Sequence, residues 1–240
     1  MTLKANERFL LERYREVGGR GLDYGCGAGD LVGAAAHAGH DFWGAESYYG
    51  DEDFEARAVA RAPAGARGRI RRLGPGFSLP FEDGSFDFVC SNQVIEHVED
   101  LETTLDELAR VTRRGGVGIH VFPVRETLVE PHLGVPLYHR VPEAARRPFA
   151  RPAPCHARAN FAAEQPDFAR WWSDMAPFYD DCVFLRPARE VERAFARRFT
   201  VTSIEREKLS YHRRRALPAV PGLDRLEHRR VGMAIQVRKR

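Results

Sequence analysis

The sequence predicts an α/β fold built on a parallel sheet with helices on both faces, and three observations predict it. Short apolar runs of strand character alternate with segments of helical period through the first half of the chain. A glycine-rich stretch, "LDYGCGAGD" (Leu22 to Asp30), leaves the first of those runs and leads into a helix. After a long irregular stretch, a helix and two strand-like runs return at the C-terminus. In such a fold ligands bind at the carboxyl ends of the strands.

The elements follow in order. Phe9, Leu10, Tyr14 and Val17 share one helical face in the stretch from Leu3 to Val17, which predicts a leading amphipathic helix. "RGLDYG" is a short strand, and "LVGAAAHAGH" a helix ended by Gly39. "DFWGAE" is a second strand closed by Glu46, "EDFEARAVARA" a helix stopped by Pro63, and "GRIRRL" a weak third strand. In "SFDFVCS" the apolar positions Phe86, Phe88, Val89 and Cys90 are nearly continuous, as in a strand buried on both faces. Leu101, Leu105, Leu108 and Val111 recur at helical spacing, "RRGG" closes that helix, and "VGIHVF" is the next strand.

After Pro123 the alternation breaks. Residues 124–186 are rich in proline and aromatics with no sustained period, and a segment of that length inside a compact fold reads as a lid or a substrate-binding insertion. Val191, Phe195 and Phe199 then share a helical face, and "TVTSIEREKL" and "VGMAIQVRK" read as terminal strands.

Composition narrows the function classes. With 240 residues and 43% apolar content, the chain holds enough material for one large domain or one domain carrying an insertion. The N-terminal stretch is charged throughout, and no apolar run approaches the roughly 18–20 residues needed to span a bilayer, so a soluble, cytoplasmic protein is expected. Cys26, Cys90, Cys155 and Cys182 lack CxxC spacing and a zinc-type histidine cluster, and free thiols are expected. The net charge of +3 hides an asymmetry: residues 1–139 hold 15 Lys/Arg against 22 Asp/Glu, whereas residues 186–240 hold 16 against 6. These basic residues are not interleaved with stacking aromatics, so they read as a solvated face rather than a nucleic-acid surface.

The glycine loop alone does not choose its nucleotide ligand. "GCGAG" lacks the third glycine of a dinucleotide fingerprint, and the acid ending the second strand suits a ribose diol in either case. With "LDYGCGAG", "GAE", "LPFEDGSFDFV", "IEHV", "RRGG" and "FP" in order over residues 20–123, the chain resembles the class I S-adenosylmethionine-dependent methyltransferases. The resemblance implies a Rossmann-like, mostly parallel seven-stranded sheet with an antiparallel C-terminal strand and an insertion after the fifth. It also implies a division of one domain, 1–240, into a cofactor-binding half (1–123), a substrate-binding insertion (124–186) and a C-terminal helix with terminal strands (187–240).

The resemblance further implies roles for single residues. Gly25, Gly27 and Gly29 would let backbone approach the methionyl part of S-adenosylmethionine, and Asp23 would order the loop or bind its amino group. Glu46 would accept from both ribose hydroxyls, as a carboxylate suits two donors at once. Many relatives carry an acid for adenine before "LPF"; here the stretch is "LGPGFSLPF", so adenine falls to backbone groups and Phe77. Asn92 and Gln93 leave the strand where methionine and acceptor meet. Some quinone-biosynthesis relatives hold a divalent metal with an EVxEH-like arrangement, but Gln93 replaces the first acid, leaving only Glu96 and His97, and no metal is expected.

Methyl transfer from a sulfonium needs alignment and a dry site, and a hydroxyl acceptor also needs a base. His97, His132 and His139 are the candidates. Trp171, Trp172, Phe178 and Tyr179 are candidates to roof the acceptor or to form the insertion's own core, and Arg140, Arg146 and Arg147 to hold an anionic group. The expected acceptor is a small or medium-sized metabolite, glycosyl unit or natural-product intermediate, methylated at oxygen or nitrogen. The alternatives are an RNA or protein methyltransferase and a catalytically silent cofactor-binding partner protein.

Overall fold

The computed structural model of the chain describes residues 3–48, 52–151, 168–213 and 232–240. Seven strands form one sheet: β1 (Gly21–Tyr24), β2 (Phe42–Glu46), β3 (Ile70–Arg72), β4 (Phe86–Asn92), β5 (Thr112–Phe122), β6 (Phe199–Ser203) and β7 (Met233–Lys239). Their order is β3-β2-β1-β4-β5-β7-β6. The pairs from β3 through β5 are parallel, and β7 runs antiparallel to both β5 and β6. The Rossmann-like sheet with one antiparallel C-terminal strand is therefore as the sequence predicts. The order reverses at β1, so the crevice outside the carboxyl ends of β1, β2 and β4 is the topological switch point where such sheets bind ligands.

Helices cover both faces. On one side α1 (Ala5–Val17), α2 (Asp30–His37) and α8 (Glu205–Arg213) lie over the sheet, with Phe9, Leu10, Tyr14, Leu31 and Val32 buried against Phe42, Phe88 and Ile119. On the other side α4 (Leu101–Val111) and α7 (Ala188–Ala196) bury Leu105, Leu108, Val191 and Phe195 against Leu22, Val89 and Ile235. The near-continuous apolar run of β4 has this cause: Phe88 and Cys90 serve one core, Phe86 and Val89 the other. The remaining helix of the first half of the chain, α3 (Glu52–Arg61), ends before Pro63.

Several elements differ from the sequence reading. Val17 is 38% exposed, and Leu11 takes its place on the buried stripe of α1. "RRGG" lies inside β5 rather than ahead of it, because α4 ends at Val111 and the strand begins at Thr112 with an irregular register against Phe86 and Phe88. Only the first half of "TVTSIEREKL" is strand. The rest is α8, started where the buried Glu205 carboxylate accepts from the Ala234 N–H at 3.2 Å.

The described part of the insertion is not devoid of regular structure. It holds α5 (Glu143–Ala150) and α6 (Phe168–Cys182), each with an internal proline, Pro148 and Pro177, that disguises the period. Trp171, Met175 and Tyr179, spaced by four, pack with Leu133, Val135 and Tyr138 into a separate small core. Hydrogen bonds join the two ends of the insertion to each other and the insertion to the turn after β4. Phe184 N–H donates to the Glu96 carbonyl at 2.7 Å, Arg125 N–H to the Arg186 carbonyl at 2.9 Å, and Arg186 Nη1 to the Val98 carbonyl at 2.8 Å.

Candidate functional site

The loop leaving β1 is held against the end of β2 by its own backbone. The Gly25 and Cys26 N–H groups both donate to the Ala45 carbonyl, at 2.8 and 3.2 Å, and the Gly29 N–H to the Cys26 carbonyl at 2.9 Å. Gly25 packs so closely on Val94 that a Cβ there would sit 2.4 Å from its Cγ2. Gly27 has φ +55° and faces open space, so its backbone is presented to the crevice with nothing in front of it. Gly29 precedes the first residue of α2.

Glu46 ends β2 only 7% exposed, and its carboxylate is fixed by backbone donors. Gly27 N–H donates to Oε2 at 2.7 Å, and Ser47 and Tyr48 N–H to Oε1 at 2.8 and 3.3 Å. A carboxylate has about four acceptor directions, so Oε2, with one donor, keeps one for a hydroxyl. Asp23, in β1, is buried, and the Cys90 thiol donates to its Oδ1 at 3.7 Å. Burial, reinforced by the nearby Glu7 and Glu46 carboxylates, pushes its acid up to about 8. A buried acid without a cation beside it suits an ammonium group.

Two cavities meet over this loop. One, of about 680 Å³, is lined by Gly27, Glu46, Leu73, Phe77 and Thr104 among others. A larger one, of about 930 Å³, is lined by Asn6, Asp23, Asn92, His132, Phe178 and Lys208 among others. Gly25, Gly27, Gln93 and His97 line both. Phe77, 56% exposed at φ +61°, stands in the wall of the first cavity, and Asn92 accepts from Asn6 Nδ2 at 2.9 Å in the second.

Of the three candidate bases, the structure brings two together. His97 Nδ1 meets the Cys182 carbonyl at 2.6 Å, His132 Nδ1 meets Glu130 Oε1 at 2.6 Å, and the two Nε2 atoms face each other at 3.1 Å. Phe178 lies against both rings, with centroids 5.9 and 6.1 Å away. Burial lowers the pKa of His97, which favours its neutral form. Beside it Glu96 is 2% exposed, and its carboxyl is pushed well above the usual range by burial. His139 lies elsewhere, at a small cavity of about 220 Å³ shared with Arg125, Arg146, Tyr179 and Asp180.

The other candidates divide likewise. Phe178 reaches the larger cavity, whereas Trp171, Trp172 and Tyr179 pack in or against the insertion's own core. Arg146 bonds Asp180 and lies over the rings of Tyr138 and Tyr179, Arg140 lines a shallow depression with Arg125 and Glu126, and Arg147 sits in α5. In the described part of the basic C-terminal quarter Arg197 and Arg198 pair with Glu102, and Arg198 also with Asp106, so these arginines are tied to acids of α4. Residues 214–231 and Cys155 lie outside the described residues; Cys26, Cys90 and Cys182 are free thiols. Sequence reasoning passed over Glu130 and Lys208; a buried Glu two residues before a candidate His was the available signal for the first. Among the described residues no helix is long and apolar enough to cross a membrane.

Comparison with known proteins finds methyltransferases. The model of the family described as "Methyltransferase domain" matches residues 22–119. An "Uncharacterized methyltransferase" of Mycolicibacterium gilvum is 32% identical over 157 residues, covering 62% of this chain and 59% of that protein. A demethylmenaquinone methyltransferase of Geobacillus kaustophilus is 30% identical over 135 residues, covering 52% of this chain and 54% of that protein. The chain thus spans about half the length of the curated relatives it matches. The crystal structure of an S-adenosylmethionine-dependent methyltransferase from Mesorhizobium loti shares the fold, with a TM-score of 0.58 at 19% identity over 98% of both chains. The glycine loop, the acid ending β2 and the sheet order, together with these matches, are similar to those of the class I S-adenosylmethionine-dependent methyltransferases, with a methyltransferase-domain match over residues 22–119.

Proposed function

We propose that the chain transfers a methyl group from S-adenosylmethionine to a small or medium-sized acceptor enclosed between the cofactor half, residues 1–123, and the insertion, residues 124–186. The observation that carries this reading is the position of His97. It lines both cavities and is paired with His132 of the insertion, so the polar pair stands at their junction, where the middle of a cofactor lying across both and an acceptor entering the larger one would meet.

When bound, the cofactor supplies an electrophilic methyl on sulfur. The chain supplies alignment, exclusion of water and handling of the acceptor proton. Glu46 and Asp23 fix the two polar ends of the cofactor, the backbone of Gly25 and Gly27 lies along its middle, and Phe77 and Leu73 offer apolar contact for adenine. On the acceptor side Phe178 supplies a ring face, and the His97–His132 pair faces the oxygen or nitrogen to be methylated. Lys208, whose ammonium burial pushes down to about 8, lines the larger cavity and suits an acceptor carrying an anionic group. The Geobacillus relative, by its name, methylates the small molecule demethylmenaquinone, which agrees in acceptor class.

The test is transfer of a labelled methyl from S-adenosylmethionine, with metabolite extract, RNA and protein as separate acceptors. Label in a small molecule supports the reading. Label in RNA or protein, or saturable cofactor binding with no transfer to any of the three, refutes it.

A further inference from the structure

The geometry points to a divalent transition-metal site of zinc type, formed by Glu96, His97 and His132 at the junction of the cofactor half and the insertion. Ligand atoms of these three residues all lie within 4.8 Å of one another. The count of donors made from sequence stopped at Glu96 and His97, because the third lies 35 residues away on another segment.

The hydrogen bonds around the pair define what faces what. His132 Nδ1 meets the carboxylate of Glu130, and His97 Nδ1 meets the carbonyl of Cys182. Both partners are acceptors, so each Nδ1 carries its proton and donates it. In the neutral rings each Nε2 is then a lone pair, and the two lone pairs point at each other across 3.1 Å. That arrangement is repulsive unless something positive lies between them. It is also the usual way a protein prepares imidazoles for a metal, with the far nitrogen donating to a carboxylate or backbone carbonyl.

Glu96 decides between a proton and a cation. Its side chain is 2% exposed, and no donor from another residue reaches either carboxylate oxygen. A proton shared by the two histidines would relieve their contact and leave this buried carboxyl without a partner. A divalent cation satisfies all three groups together. With metal–nitrogen bonds of about 2.0–2.1 Å, two nitrogens on a tetrahedral ion lie about 3.3 Å apart, close to the separation already present. A small inward turn of Glu96 completes the set.

The donor chemistry selects the ion. Two imidazoles and one carboxylate suit zinc and its first-row neighbours and are poor for magnesium, which prefers six oxygen ligands. Three protein ligands leave one position open, as in catalytic rather than structural zinc sites. His97 and His132 both line the larger cavity, so a hydroxyl or carboxylate oxygen of the acceptor is the ligand class for that position. This acceptor role rests on the methyl-transfer reading; the binding of the ion does not.

The experiment titrates zinc by calorimetry, and cobalt(II) by visible absorption, into the full chain after chelator treatment and dialysis. One equivalent of either per chain is expected, with a cobalt spectrum of four- or five-coordinate nitrogen and oxygen ligation and with magnesium failing to compete. His132→Ala and Glu96→Gln should each weaken binding by more than about 100-fold, and Glu130→Gln, which weakens the acceptor of His132 Nδ1 and keeps an oxygen for the Leu133 N–H, by about 10–100-fold. His139→Ala should bind normally. A folded wild-type chain that takes up neither zinc nor cobalt overturns the proposal without recourse to any variant. Metal bound at full affinity by His132→Ala overturns the ligand assignment. Metal bound without methyl transfer would keep this site and refute the function, whereas transfer by a metal-free chain that cannot take up zinc would do the reverse.

Discussion

The backbone N–H of Gly27 donates to Glu46 Oε2 at 2.7 Å, so the glycine loop after β1 and the acid that ends β2 form one unit rather than two neighbouring motifs. Replacing Glu46 by Ala removes the anchor of the loop and, in the proposed cofactor mode, the acceptor for the ribose. Cofactor binding should weaken by roughly 1–3 kcal/mol, the cost of losing hydrogen bonds to a charged group. Calorimetry with S-adenosylmethionine measures this, and unchanged affinity would take Glu46 out of the site. Gly27→Val adds a branched side chain at φ +55° in open cavity space and should abolish binding in a folded protein.

Asp23 makes cofactor binding pH-dependent. Its folded pKa, pushed up to about 8 by burial, stands above the ordinary 3.8 of the free side chain. The folded state therefore holds the proton more tightly, and the stability this group contributes is fully present below about 3.8 and is lost as pH rises through 8. Pairing with an ammonium needs the ionised form, so a proton is released on binding. Affinity should rise from pH 6 to 8, by up to about tenfold per pH unit. Calorimetry in buffers of different ionisation enthalpy reads the released proton. Asp23→Asn should bind more weakly and with a flatter profile, and an equally steep profile in that variant would assign the titration to another group.

The two histidines of "EPHLGVPLYH" should behave differently, because only one reaches the cavities of the site. His132→Ala should lower kcat by about 100-fold or more while cofactor affinity stays nearly unchanged. His139→Ala should retain turnover, since its small cavity is separate. Steady-state kinetics with an identified acceptor check both, and equal losses in the two variants would indicate a general loosening of the insertion.

The insertion has its own core, so it should loosen without loss of cofactor binding. Trp171, 1% exposed, is the largest side chain there, and its truncation to Ala should cost about 3–5 kcal/mol locally. Hydrogen exchange should report lost protection in α6 with β1 and β4 unaffected. Simultaneous loss in the sheet would mean that insertion and sheet unfold as one unit.

What the sequence made legible was carried by local signals. The glycine loop, Glu46 closing β2, the doubly buried β4 and the amphipathic α4 each announce themselves within about ten residues, and together they specify the cofactor half. Helices α5 and α6 did not, because Pro148 and Pro177 sit inside them and aromatics on several sides of α6 blur its stripe. The 203–205 turn hid α8, since "TVTSIEREKL" carries no glycine or proline to mark where strand gives way to helix. The pairing of His97 with His132 is a tertiary fact, made by the insertion folding back onto the turn after β4, and no spacing rule reaches across 35 residues of sequence. Phe178 was correctly grouped with the aromatics of the insertion, but only packing separates it, facing the cavity, from Trp171 in the core.

The measurement that bears most directly on the central claim is labelled-methyl transfer from S-adenosylmethionine by the purified chain in metabolite extract, run beside the Glu46→Ala variant, with mass identification of the product. The prediction is label in a small molecule, formed by the wild-type chain and reduced in the variant in proportion to its weakened cofactor binding. Label found only in RNA or protein, or none in any fraction from a chain that binds the cofactor, would contradict it.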